Sequence, residues 1–588
     1  MRLNAFLTAL ALACPLAASA EISYTLRPDP QTRQFAVTIV AKATEPDTTF
    51  RIPAWSPGYY HIAQYQNEIS DAVAHDASGA VLPVNHFDSR AWTVSAPPGA
   101  VIKFEYRVLG DDAGLGFFAA YLDGRVGFIN GASTFMYLDD RKTEPDRLTI
   151  RNPEGWETAT GMEQDERGFV AKSGYDELID NPIQLGAFAR KKFTVEGVPF
   201  EAVFVTKGEA IHCDMDVETA RLQKVSAPAI RMFRGAGFKH YTYILHLAVG
   251  NFGGGLEHRS STCIAVGNGN ELNLDDLAAH ENFHAWNVKQ IRPYVLGPFD
   301  YTQPDRTGNL WWMEGVTDYY SKVLTYRSGL QDSEWLLNEI RGQYEILQNS
   351  RMKSQITLED ACKQCWESDG FGVGDLSYYT KGFLVGAILD ASIRAQTDGK
   401  KSLDDVMRLL FNKYRLPNPG VPEDGILQAL NEVVGRDAFG ELYQKMVRST
   451  DELPFEILRN IGILAVQPGR THAVPGYETQ DGVVTSVSRE AGDAGLKSGD
   501  KVVAMYDSPW NGVNTAPLGY TLEVDRGGAQ LRFAVRYSLS QGQRPDLIWD
   551  PAAGALATKL KKAWLERPDG SVKEGNQGAE GNKHGAGK

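Results

Sequence analysis

The chain has 588 residues, 43% of them apolar and 23% charged, a globular balance that excludes a disordered or fibrous protein and predicts two to four domains. Its formal net charge of −14, with no clustered Lys/Arg stripe, argues against nucleic acid or an anionic membrane surface as partner. No apolar run reaches the roughly 20 residues of a spanning helix, so a soluble protein without a transmembrane segment is expected.

Residues 1–20 run from the lone cation Arg2 through the apolar core "AFLTALALA" to the small-residue end "ASA". That pattern reads as a signal peptide cleaved after Ala20 and predicts an exported protein, periplasmic or secreted. A lipid-anchored chain starting at Cys14 is the competing reading, but "ALA" matches that signal imperfectly and Pro15 is an awkward successor. From Glu21 to about Phe193, short alternating runs such as "QFAVTIVA" and "VIKFEYRVL" between Pro, Gly and Asp turns predict an all-β domain. Within it, "RIPAWSPGYY" (51–60) is too rich in Pro and aromatics for a strand and reads as an ordered loop, either a rigid turn or part of a substrate channel. From about Thr194 to Thr450 a strand pair around "TYILHLAV" and "STCIAV" precedes a series of helical periodicities, from "LDDLAAHENFHAWNVKQI" to "AFGELYQKMV". After Asp451 brief strands and Gly turns return for about a hundred residues. The last forty or so, ending in "GSVKEGNQGAEGNKHGAGK", lack an apolar period and predict a largely disordered tail. Cys213, Cys263, Cys362 and Cys365 remain after export; a Cys362–Cys365 bridge or plain thiols fit a single CxxC better than a zinc ribbon does.

The segment "AAHENFHAWNVKQIRP" (278–293) carries the chemistry. On a helix, positions four apart share a face, so His280 and His284 aim both imidazoles at one point while Glu281 projects beside them. Leu277, His280, His284, Val288 and Ile291 share the inward stripe of a helix that Arg292-Pro293 ends. A catalytic zinc needs a third protein ligand and an open fourth position, and "LWWMEGVTDYY" offers Glu314 on a buried helix, where an unpaired charge would be expensive. One turn on, Asp318 is placed to accept a proton from the free nitrogen of a ligating imidazole.

Together "HENFHAWNVKQIRP", "LWWMEGVTDYY", "GGGLEH" and "PAWSPGYY" resemble the glycyl aminopeptidase family of zinc metallopeptidases. The resemblance implies a multidomain α+β protein: an N-terminal β domain (21–193), a thermolysin-like zinc peptidase domain (194–455), mixed α/β and then helical, a PDZ-like β domain (456–545) and a C-terminal extension (546–588). It implies one zinc ion per chain, and removal of small N-terminal residues, glycine or alanine, from peptides. It also assigns Glu257, with Gly254 and Gly255 on the same strand, to holding the substrate's α-ammonium, and Tyr379 of "YTKG" to donating to the oxyanion, with the adjacent Tyr378 an alternative. His258 has no assigned role and reads as packing or support. "RNIGIL" (459–464) resembles the carboxylate-binding loop of PDZ domains, which predicts a peptide docking there by its C-terminus, beside the alternative of a module that only shields. In the implied mechanism zinc on His280, His284 and Glu314 lowers the pKa of its water, Glu281 takes the proton and returns it to the leaving amine, and Tyr379 stabilises the oxyanion. An endopeptidase of the same fold, and an inactive PDZ peptide-binding protein, are the alternatives.

Overall fold

The protein's structure, a computed structural model, describes residues 21–112, 114–247, 253–368, 370–467, 469, 471–480, 482–507, 519–541 and 545–575. The expected leader and Cys14 lie outside the described residues. In the β-rich N-terminal part, buried and more exposed residues alternate along Gln34–Lys42 and Val101–Leu109, which gives each strand one dry face. The two pair antiparallel from Gln34↔Leu109 to Lys42↔Val101 inside an eight-stranded sheet, and two four-stranded sheets complete this part of the fold. The loop 51–60 is fastened to the rest of the protein: Ala54 N donates to Tyr301 O (2.8 Å) and Trp55 Nε1 to Asp300 O (2.9 Å).

A five-stranded sheet follows, opening with the antiparallel pair Ala189–Val195 and Val198–Val205, a few residues before the expected boundary at 193. Val198–Val205, Tyr241–His246 and Ser261–Ala265 run parallel, and the last two are buried at every position. Such central strands are covered on both faces, which is why they read as apolar runs rather than as alternation. Gly254–Glu257 forms one edge of the sheet, antiparallel to Ser261–Ala265.

The histidine helix spans Asp275–Phe283 and ends at His284, not at Ile291 as the periodicity predicts. The chain then turns through Val288, whose φ of +139° a β-branched residue rarely adopts, with Lys289 N donating to His284 O (3.1 Å) and Ile291 N to Trp286 O (2.7 Å). The amide of Asn287 holds this turn, its Nδ2 donating to Trp312 O (2.9 Å) and Thr317 Oγ1 (3.0 Å). No Gly or Pro marks the break, and Val288 and Ile291 are buried all the same, so an apolar stripe could not reveal it. Glu314 sits in a π-helical turn, Trp311–Gly315, that leads into the helix Val316–Arg327. This helix packs beside Tyr378–Gln396, and at Gly315 and Gly382 the two backbones meet so closely that a Cβ on either would collide with the other. No helix among the described residues is long and apolar enough to cross a membrane.

Among the described residues, Cys213, Cys263, Cys362 and Cys365 are buried and none is joined in a disulfide. Cys362 Sγ accepts from Trp311 N (3.2 Å) and Cys365 Sγ donates to Cys362 O (3.1 Å), so backbone contacts take the place of the bridge.

The C-terminal part departs from expectation in three ways. Residues 459–464 form no open carboxylate loop: Phe455–Ile461 is a 3-10 helix whose Phe455, Leu458 and Ile461 enter the main core, and Ile463–Val466 pairs antiparallel with Asp546–Trp549. The β module is therefore an insertion between Val466 and Asp546, with a separate small core that includes Val484, Leu522 and Val524. Its five-stranded sheet is antiparallel throughout. Finally, the segment after 546 is not a disordered tail over its described length. Helix Ala555–Leu565 buries Leu560, Trp564 and Leu565; Trp564 Nε1 donates to Tyr319 OH (3.0 Å) and Tyr326 OH to Leu565 O (2.8 Å). Three apolar anchors on one helix face are enough to dock it, and the Gly- and Lys-rich stretch around them hid that pattern. Residues 576–588 lie outside the described residues.

Candidate metal centre and active site

His280 and His284 stand one helical turn apart with their Nε2 atoms 3.0 Å from each other. The Nδ1 of His284 lies 2.7 Å from Asn287 O, which can only accept, so that nitrogen carries the hydrogen and Nε2 is left as a bare lone pair. On His280, Nδ1 lies 3.6 Å from Asp318 Oδ1, which orients that ring in the same sense. Glu314 Oε2 completes a triangle, 3.2 Å from His284 Nε2 and 3.6 Å from His280 Nε2.

Three donors held about 2.0–2.1 Å from one ion at tetrahedral angles lie about 3.4 Å apart, so this triangle has the dimensions of a zinc site's edge. Its electrostatics ask for a cation as well. Burial opposes charge on His280, yet the carboxylates of Asp318 and Glu314 outweigh it and pull the imidazole up to about 10. Burial likewise opposes ionisation of Glu314, but the two imidazoles hold it well below the usual carboxylate range. Two imidazole Nε2 atoms that can each exchange a proton for a metal, and a buried carboxylate, converge on one point and thus fit a divalent ion.

Glu281 projects from the same helix into a cavity of about 540 Å³ that Glu314, Asp318, Tyr378 and Tyr379 also line. Burial raises its carboxyl to about 7, and its Oε2 is buried without a hydrogen-bond partner, as a proton acceptor awaiting a ligand would be. The absent side chain of Gly255 makes room for it, since a Cβ there would overlap the carboxyl. Gly254 and Gly255 line the cavity along the sheet edge, and Glu257 closes the far end of their strand. Atoms of Glu257, Glu281 and His284 lie within 4.8 Å of one another, so the structure brings the two carboxylates and the metal triangle into one site.

The adjacent tyrosines differ. Tyr378 OH donates to Gly370 O (2.5 Å) and is fully buried, whereas the ring of Tyr379 lies over that of His280 with centroids 6.2 Å apart. His258 does not line the cavity; its Nδ1 lies 3.3 Å from Asp180 Oδ1.

Several residues escape sequence reasoning. The loop 51–60 does contribute to the cavity, through Gly58, Tyr59 and Tyr60, and Phe117 and Phe118 add an aromatic wall in which Phe118 stacks on Tyr59 (4.1 Å). Asn287 and Lys289 reach the site only because the helix breaks after His284. Asp180 comes from the β-rich domain, far away in sequence, with no local signal at all.

Two family models match the sequence: the Peptidase M61 N-terminal domain over residues 23–187, and the M61 glycyl aminopeptidase over residues 273–385. No curated protein matches it. Among solved structures, an aminopeptidase N family protein from Idiomarina loihiensis superposes with a TM-score of 0.72 at 24% identity, covering 92% of this chain and 100% of that one. An M1 zinc metallopeptidase from Deinococcus radiodurans gives 0.48 at 14% identity, over 74% of this chain and 94% of that one. The first likeness speaks to the fold. The second family match contains His280, Glu281, His284, Glu314, Asp318 and Tyr379 together, and with the N-terminal match it supports a peptidase.

Proposed function

We propose that this chain is an exported zinc aminopeptidase that removes small residues, glycine or alanine, from the free amino terminus of peptides. The observation that carries the reading is the spacing within one cavity. The ammonium-holding candidate Glu257 and the metal ligand His284 offer atoms no more than 4.8 Å apart, which leaves room for about one residue, 3.8 Å between successive Cα atoms, between a substrate's amino group and its first carbonyl. An endopeptidase would need an open cleft at that end, and here it is closed by buried side chains. The preference for glycine or alanine rests on the likeness to the glycyl aminopeptidase model, and export on the leader-like residues 1–20.

His280, His284 and Glu314 would hold the ion, which when bound supplies the Lewis acidity that activates water and polarises a carbonyl. The chain's own residues do the rest. Glu257 accepts the substrate's α-ammonium and so sets which peptide bond lies beside Glu281. Glu281 takes a proton from the attacking water at its free Oε2 and passes it to the departing amine. Tyr379 donates its hydroxyl hydrogen to the oxygen that gains charge in the tetrahedral state. The C-terminal β module, read as PDZ-like over 456–545, would dock a peptide or only shield; its antiparallel sheet and separate core support an independent β unit.

The test is hydrolysis of glycyl and alanyl p-nitroanilides beside their N-acetylated forms, with and without a chelator. Cleavage of the free amines alone, abolished by the chelator and restored by zinc, is the expected result. Equal cleavage of the acetylated substrates rejects the aminopeptidase reading.

A further inference from the structure

Glu257 does not stand alone at the closed end of the cavity. Lys289 Nζ lies 3.5 Å from Glu257 Oε1 and 2.9 Å from Asp180 Oδ1, and the side chains of Lys289, Glu257 and Asp180 are 7%, 6% and 13% exposed. Asp180 follows the short helix Tyr175–Ile179 of the β-rich domain, so the cluster ties both parts of the fold together. Lys289 thus bridges two carboxylates, Asp180 also meets His258 Nδ1 at 3.3 Å, and among the described residues Glu257 is left with Lys289 as its one ion-pair partner, so that a substrate's α-ammonium would be its second. Lys289 does not line the cavity, so it meets Glu257 from behind. On another side stands Gly58, at φ +87°, where a Cβ would lie 2.8 Å from both carboxylate oxygens.

The geometry points to a role for the lysine that none of the site's assigned residues fills. We propose that Lys289 is a positioning residue that determines specificity for a free amino terminus, by holding Glu257 through Oε1 so that its remaining acceptor capacity faces the substrate's ammonium. The inference rests on the aminopeptidase reading and deepens it. The break after His284 is what makes the contact possible. On a continued helix Lys289 would stand five residues past His284, about 140° around the axis from it, and could not reach back toward the sheet edge.

A simpler role would be to neutralise Asp180, the nearer of its two partners. The double variant Asp180→Asn/Lys289→Met separates the two, because it removes one charge of each sign and leaves the site's net charge as it was. Michaelis parameters are measured for glycyl p-nitroanilide, with zinc content and thermal midpoint as controls. The expected result is a KM raised about tenfold to a hundredfold with kcat changed much less, the scale of one hydrogen bond to a charged group. Lys289→Arg, which keeps the charge, should recover most of the wild-type KM. A double variant with wild-type KM overturns the proposal and leaves Lys289 a counter-ion of Asp180. If the double variant does not fold, Lys289→Gln serves in its place, and an unchanged KM there overturns the proposal equally. Failure of the underlying reading shows separately: wild-type protein that cleaves N-acetylglycyl p-nitroanilide as fast as the free amine removes the ammonium site, whatever the variants do.

Discussion

At the scale of single residues, the site divides into groups whose removal should leave different signatures. Glu281 makes no contact that the metal triangle needs, so Glu281→Gln is expected to keep fold and zinc content while kcat drops 10²- to 10⁴-fold. Metal analysis beside turnover checks this, and a fully active variant would refute the assignment of Glu281 as the base. Gly58 should behave otherwise. An alanine there is strained at φ +87° and forces a Cβ to within 2.8 Å of both Glu257 oxygens and 2.6 Å of Leu256 Cδ1. Gly58→Ala is expected to lose about 1 kcal/mol or more of stability and to raise KM more than it lowers kcat, as seen by denaturant unfolding and steady-state kinetics. Lys381 predicts a pH dependence. Its Nζ is buried without a hydrogen-bond partner, and burial pushes the ammonium down to about 8 from 10.5. Between those values the folded protein has given up a proton that the unfolded chain still holds, so unfolding takes up a proton and this group's contribution to stability rises with pH. Below about pH 8 the charged form is a standing cost, at most about 3 kcal/mol. Lys381→Met is therefore expected to stabilise the protein most near pH 7, with the advantage gone by about pH 10.5; a gain in urea midpoint that does not depend on pH would contradict this cause.

At the scale of elements, the π turn that carries Glu314 and the helix Val316–Arg327 after it are held by segments that precede and follow them in the chain. Asn287 donates to Trp312 O and Thr317 Oγ1 at their start, and on the helix's outer side Trp564 donates to Tyr319 and Leu565 O accepts from Tyr326. Asp390 accepts from the same Tyr319 hydroxyl and from Arg394 Nε, which gives this helix interface a buried, paired polar core. Such a network is stable only while each partner is present. Trp564→Ala removes a fully buried indole and orphans part of that network. It is expected to cost about 3–5 kcal/mol in chemical denaturation, although residue 564 lies beyond every catalytic motif. A change below about 1 kcal/mol would mean that the C-terminal helix is only loosely docked.

At the scale of the whole molecule, the β module leaves and re-enters the fold at one place. Val466 and Asp546 are cross-strand partners at the end of an antiparallel pair, a separation that a two-residue turn bridges. Replacing residues 467–545 by Asn-Gly is expected to leave zinc binding, thermal midpoint and cleavage of dipeptide-sized substrates near wild type. A selective loss on long peptides would then measure what the module adds by docking, and equal loss on both would mark it as structural. Excision from residue 456 instead would strip Leu458, Ile461 and Ile463 from the main core and should unfold the catalytic part.

The sequence by itself determined the pieces whose logic is local. His280 and His284 fall four apart on a helix, Glu314 and Asp318 four apart on the next, and the alternation of the early strands marks the β-rich domain; each follows from repeat geometry that neighbouring residues carry. Tertiary structure decided where local geometry gives way to distant contacts. It stopped the histidine helix at His284, because Asn287 found partners on the following helix, and thereby delivered Lys289 to Glu257. It ordered residues 546–565, because a strand partner and a helix groove lay waiting for them, and it set Gly58 and Asp180 of one domain against the carboxylate of another. Those outcomes depend on surfaces hundreds of residues apart in the chain, and no window of sequence contains both sides of such a contact.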